Sequence, residues 1–173
     1  SIILIEKKNQ EEGELRPQLL DRFPLSMSVG KITSVKERIE VVKRNIDFEA
    51  DPEKFNMAYR PLQEELKNRI IQARQLLPKV EMPYKLVEII CKATLDLKVD
   101  GMRPDIVISK AAITLAAFEG RASVTLDDVL VASELALSHR TREGGFLEPA
   151  TPEEIKQVFT DKAKEVKHLE DTG

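Results

Sequence analysis

Two arginines stand out for what their charge could do. Arg22 follows Asp21 and precedes Phe23, and Arg103 follows Gly101 and Met102 just before a helical pattern. A guanidinium is permanently charged and can grip phosphate oxygens through two parallel hydrogen bonds. At a subunit edge, an arginine such as Arg22 could complete a neighbour's phosphate site. On its own, Arg22 reads as a surface arginine paired with Asp21 or a nearby carboxylate. Arg103 falls at the start of a helix, where unsatisfied N–H groups and the dipole already favour anions. Its plainer role would be a pairing with Asp100 or Asp105. Other chemistry-bearing residues read more simply. His139 and His168 lack a partner at metal-ligand spacing, so no metal site is expected. Cys91 lies beside the apolar face of its helix and reads as a packed thiol. Glu11, Glu12 and Glu14 read as a solvated turn, and Lys162 to Lys167 as an exposed mixed-charge face.

The absences are as informative. Nowhere does Gly-x-x-x-x-Gly-Lys-Ser/Thr occur, so this chain carries no phosphate-cradling loop of that kind. No apolar strand ends in an Asp-Glu pair able to hold magnesium. The expectation is that this chain alone binds no ATP.

The elements that must position these residues follow from periodicity. Ile2 to Ile5 is a continuous apolar run, as in a buried strand. Leu25, Met27 and Val29 alternate with Ser26 and Ser28, which predicts a second strand. From Ser34 the pattern turns helical: Ser34 and Glu37 form a capping-box pair, and Val35, Ile39, Val42 and Ile46 form an apolar stripe. Asp51-Pro52 breaks that helix. Pro61 opens another, with Leu62, Leu66, Ile70, Ala73 and Leu77 as its stripe. Further helices are predicted around Leu86 to Leu97, from Arg103 with Val107, Ala111, Leu115 and Phe118 inward, and after the Thr125/Asp128 capping pair. Gly144-Gly145 reads as a flexible break, and Thr151 with Glu154 caps a last, highly charged helix. The fold class expected is mainly α. Residues 1–33 read as the end of an α/β core, 34–149 as a helical bundle, and 150–173 as a charged helix and tail.

Composition sets outer bounds. The 173 residues are 42% hydrophobic and 33% charged, with a net charge of −3 and no Trp. Such a balance leaves no electrostatic footprint for nucleic acid or an anionic membrane. A single cysteine excludes an intrachain disulfide and fits a reducing, cytoplasmic setting. No apolar run approaches the roughly 18 residues of a membrane-spanning helix.

The run Asn9-Gln10-Glu11-Glu12-Gly13-Glu14-Leu15-Arg16-Pro17-Gln18-Leu19-Leu20-Asp21-Arg22-Phe23 closely resembles a segment of the AAA+ subunit of magnesium chelatases. The resemblance continues in order through Val41 to Arg44, Phe48 to Pro52, Ile71 to Arg74, Leu77-Pro78, Asp100 to Arg103, Gly120-Arg121, Val124 to Val129 and His139-Arg140. It implies the end of a P-loop NTPase core followed by a helical AAA+ lid. Under it, Arg22 matches the arginine finger that acts in trans, and Arg103 the sensor-2 arginine that meets the ATP γ-phosphate. Asn9 matches sensor 1, which helps to position the attacking water, although Gln10 replaces the usual Pro beside it. Arg16 matches a second interface arginine. The parent protein would bind ATP and Mg²⁺ and assemble as a hexameric ring. Its hydrolysis would drive a partner subunit to insert Mg²⁺ into protoporphyrin. The P-loop would lie upstream of this sequence. Two other readings are a MoxR-type AAA+ chaperone acting on cofactors or client proteins, and a non-enzymatic helical interaction module.

Overall fold

A computed structural model describes residues 23–27 and 29–171, with side chains through residue 168. Among the described residues six α-helices follow one another: α1 (Val35–Ala50), α2 (Pro52–Leu76), α3 (Tyr84–Asp96), α4 (Arg103–Phe118), α5 (Leu126–Leu137) and α6 (Pro152–Asp171). Short 3₁₀ turns occupy Leu77–Lys79 and Glu143–Gly145. Among the described residues there is no sheet, only isolated bridges such as Glu81 to Ser123. The strand expected over Ile2 to Ile5 lies outside the described residues. The one expected over Leu25 to Val29 does not form there. Met27 and Val29 are 74% and 83% exposed, and the Ser26 N–H donates to the Leu135 carbonyl at 2.8 Å, at the end of a helix. Alternation makes a strand only where another strand accepts its backbone bonds.

Helices α3 to α6 enclose one hydrophobic core. Leu86, Ile89, Ile90, Ala93, Ile108, Ala112, Ala116, Val129, Ala132, Ala136, Ile155 and Phe159 all belong to it. α4 packs most extensively on α5, and α6 lies across α3 and α5. The α3 stripe of Leu86, Ile90, Ala93 and Leu97 is buried as its spacing predicts. In α4 the buried line is Pro104, Ile108, Ala112 and Ala116, one residue round from the expected Val107, Ala111 and Leu115, which are only partly buried. Small alanines on α4 and α5 let two helix backbones approach closely, so the seam follows them and the larger side chains pack at its edges. The charged helix α6 is amphipathic: Ile155, Phe159 and Val166 are buried, while Glu153, Lys156, Lys164, Glu165 and Lys167 face water and Lys162 is half-buried beside Asp96.

Helices α1 and α2, joined at Asp51 and in contact with each other, form a unit of a different kind, with no buried residue in either. Ser34 caps α1 by accepting the Glu37 N–H, and Asp51 caps α2 by accepting the Lys54 N–H at 2.9 Å. Pro52 therefore opens α2, and Pro61 lies inside it. The helix continues because the carbonyl that Pro61 deprives of a partner, that of Met57, belongs to an exposed residue and water can reach it. Phe55 stacks between Phe48 at 5.6 Å and Tyr59 at 4.6 Å, and Arg44 covers the Tyr59 ring. At the other end, Arg69 of α2 lies 4.2 Å over the Phe118 ring and pairs with Glu119 at 3.0 Å, joining this unit to α4.

Candidate functional site at the start of α4

Arg103 is the first residue of α4 and is exposed. No side chain caps this helix start: Met102 occupies the N-cap without a side-chain bond. Pro104 follows, fitting the first turn because its missing N–H would have had no intrahelical partner. Asp105, also in the first turn, faces inward. Its carboxylate accepts the Thr94 hydroxyl of α3 at 2.5 Å. Burial pushes the Asp105 carboxyl up, and the Thr94 bond only partly offsets this. The start of α4 thus presents an arginine to solvent and turns its acid toward the core.

The loop that delivers Arg103 is unusually constrained. Lys98 has φ of 56° and Gly101 φ of 75°. A left-handed non-glycine residue costs on the order of 1–3 kcal/mol and persists only where its surroundings over-determine it. Those surroundings are the segment 139–147. Val99 bridges Arg142 in antiparallel fashion. The Asp100 N–H donates to the Thr141 carbonyl and the Glu143 N–H to the Lys98 carbonyl. The Gly144 N–H donates to the Asp100 carboxylate at 2.9 and 3.1 Å. Lys98 also pairs with Glu143, itself left-handed at φ 47°. The Gly144-Gly145 pair, expected as a flexible break, is a tight turn with φ of 66° and 92°, held by these bonds. Only glycine takes up such angles at little cost.

Arg142 closes the junction. Its Nε donates to the Leu97 carbonyl at 2.6 Å. Its two terminal nitrogens meet the Glu154 carboxylate of α6 at 3.1 and 2.9 Å, a fork-on-fork pair. The Arg142 side chain is only 12% exposed. Sequence reasoning does not find this residue: its partners lie 45 and 12 positions away, in no helical register. The run His139-Arg140-Thr141-Arg142 gives only a hint in its basic density.

Arg22, Asn9 and Arg16 lie outside the described residues. The chain is followed from Phe23 onward, whose carbonyl sits 3.0 Å from His139 Nε2. With Ser26 on Leu135, two bonds fasten this stretch to the end of α5. His139 is thus used as a tether, and three residues later Arg142 holds the loop under Arg103. A second polar junction lies at the far end of the bundle. Arg121 grips Asp128 with both terminal nitrogens at 2.6 Å. Asp128 also accepts the Thr125 N–H, while Thr125 Oγ1 accepts the Asp128 N–H to complete the predicted capping box. Burial would raise the Asp128 carboxyl, but the Arg121 and Thr125 bonds outweigh it and hold the carboxyl below its ordinary range.

These features define a helical lid of the AAA type, and a profile of the family described as "AAA lid domain" matches residues 87–160, from α3 into α6. Relatives narrow the class. The chain is 44% identical over 160 residues to the magnesium-chelatase subunit ChlI homolog of Methanocaldococcus jannaschii, covering 92% of this chain and 44% of that protein. It is 41% identical over 157 residues to magnesium-chelatase subunit ChlI of Cyanophora paradoxa, covering 91% and 45%. Against the chloroplastic magnesium-chelatase subunit ChlI of Chlamydomonas reinhardtii the identity is 40%, covering 91% and 38%. Over about nine-tenths of its length the chain is thus similar to magnesium-chelatase AAA+ subunits, and it spans less than half the length of these curated relatives.

Proposed function

We propose that this chain is the lid-bearing part of a magnesium-chelatase-like AAA+ ATPase subunit. The parent forms a ring, hydrolyses ATP with Mg²⁺, and drives a partner subunit to insert Mg²⁺ into protoporphyrin. The names of the relatives support the chelatase over a MoxR-type chaperone. The observation that carries the nucleotide role is the exposed Arg103 on the uncapped start of α4. Arg103 stands at a helix start, where N–H groups without an intrahelical partner favour anions, and this supports a contact with an ATP γ-phosphate. ATP would supply the phosphoryl group. Arg103 would hold its γ-phosphate and lose that contact on hydrolysis, so that the lid turns with nucleotide state. Arg22 would stabilise charge on the neighbouring subunit's γ-phosphate, and Asn9 would orient the attacking water. The tether from His139 to the Phe23 carbonyl supports a mechanical link between the Arg22 segment and the lid.

The test uses the full-length protein. Arg103→Ala should lower ATP hydrolysis sharply, and Arg22→Ala should abolish it while nucleotide binding survives. Wild-type hydrolysis by Arg103→Ala would overturn the sensor-2 role. Loss of binding by Arg22→Ala in an intact ring would overturn the finger. Calorimetry on the 173-residue chain should show no ATP binding, and micromolar affinity would remove the reading of a separate P-loop. Mg²⁺ insertion, followed by porphyrin absorbance with chelatase partner subunits present, separates chelatase from chaperone.

A further inference from the structure

We propose that Arg142 is a positioning residue for Arg103, and that its pair with Glu154 makes the placement of α6 part of the lid's response to nucleotide. The inference rests on the proposed role of Arg103. The loop 97–102 sets where α4 begins and therefore where Arg103 points. The segment 141–144 holds that loop through several ties: Thr141 on Asp100, Arg142 on Val99 and Leu97, Glu143 on Lys98, and Gly144 on Asp100. Within that segment, Arg142 also reaches another helix, through the two bonds to Glu154 at the start of α6. It further donates to the Glu148 carbonyl at 3.3 Å, bracing the chain that leads into α6.

The geometry makes this more than a surface ion pair. Arg142 bonds a backbone carbonyl and a carboxylate with different nitrogens of one planar group, so moving either partner turns the whole guanidinium. The left-handed residues Lys98 in the loop and Glu143 in the segment that holds it favour release if the clamp opens. A shift of α6 therefore reaches the Leu97 carbonyl, six residues before Arg103, through one rigid side chain. Catalysis by positioned charge is sensitive to such shifts, with misplacement by about 1 Å costing up to about a hundredfold.

The experiment compares Arg142→Lys, Arg103→Ala and the double variant in the full-length protein, with Glu154→Gln as a second probe. Lysine keeps the charge and loses the fork. Expected is a fall in kcat of about ten- to a hundredfold for Arg142→Lys, with the thermal midpoint and ring assembly retained. Glu154→Gln, which acts from a half-exposed residue with little risk to folding, should reproduce part of that fall. The decisive readout is coupling: in the Arg103→Ala background, Arg142→Lys should lower kcat no further. Additive losses, or an unchanged kcat in Arg142→Lys and Glu154→Gln, would overturn the clamp. If Arg103→Ala itself hydrolyses ATP normally, the sensor-2 reading fails first, and the clamp falls with it for that distinct reason. If Arg142→Lys does not fold, Glu154→Gln with and without Arg103→Ala decides the question by the same criterion.

Discussion

Helices α1 and α2, of 16 and 25 residues, are comparable in length to the helices of the bundle and have apolar stripes of the same periodicity, yet neither contains a buried residue, whereas α3 to α6 bury a continuous core. Val35, Ile39, Val42 and Ile46 are all exposed, while the stripe of α3 is closed over by α4 and α6. The difference is one of neighbours and not of pattern. A helix of 25 residues extends about 37 Å, and only the Arg69 end of α2 reaches α4. Order in the α1–α2 unit thus comes from caps, the Phe48-Phe55-Tyr59 cluster and the contacts of Arg69 with Phe118 and Glu119. Order in the bundle comes from burial. The polar device at the start of α4 is found on the buried side of this divide, where a clamp has something rigid to hold.

The comparison can be broken or sharpened by substitution. The largest effect expected is Phe159→Ala, which empties a fully buried site on α6 and should cost about 3–5 kcal/mol in chemical denaturation. A loss under 1 kcal/mol would mean that α6 is not part of the core. Next, Thr125→Ala removes the α5 cap and should cost about 1 kcal/mol. A smaller local effect is expected from Phe55→Ala. It should speed amide exchange in α1 roughly tenfold, the loss of about one aromatic pairing, and leave α3 to α6 unchanged. Acceleration across the whole chain would show that the α1–α2 unit and the bundle unfold together. The smallest effect belongs to Val42→Asp, an exposed position expected to change stability by no more than about 0.5 kcal/mol. A larger loss would mean that this stripe is covered in the assembled protein.

Acid sensitivity gives a further contrast, between two aspartates of the bundle. Asp128 has its folded-state value lowered, so its stabilisation is complete above the unfolded carboxyl value near 4 and is lost as pH falls through the folded value. Asp128→Asn should flatten the loss of stability below about pH 4, as measured by thermal midpoint against pH. Asp105 runs the other way. Its folded value is raised, so the native state binds its proton first, and its contribution improves as pH falls toward 4. An unchanged acid limb in Asp128→Asn would mean that the Arg121 and Thr125 bonds do not operate in solution.

The sequence determined the helical class, the caps at Ser34, Thr125 and Thr151, the buried line of α3, and the place of Arg103 at a helix start. Each of these is a local matter: a hydroxyl three residues before an N–H, or an apolar repeat of three to four, is complete within one turn or one helix. The resemblance from Asn9 to Arg140 carried the family. Tertiary structure decided the rest. It left the α1 stripe exposed, because among the described residues no element packs over it. It moved the α4 seam onto alanines because helix approach depends on the partner's surface. It turned Gly144-Gly145 from a break into a held turn, and it brought Arg142 to Leu97 and Glu154. Those contacts join residues far apart in the chain, and no period of 2 or 3.6 encodes them.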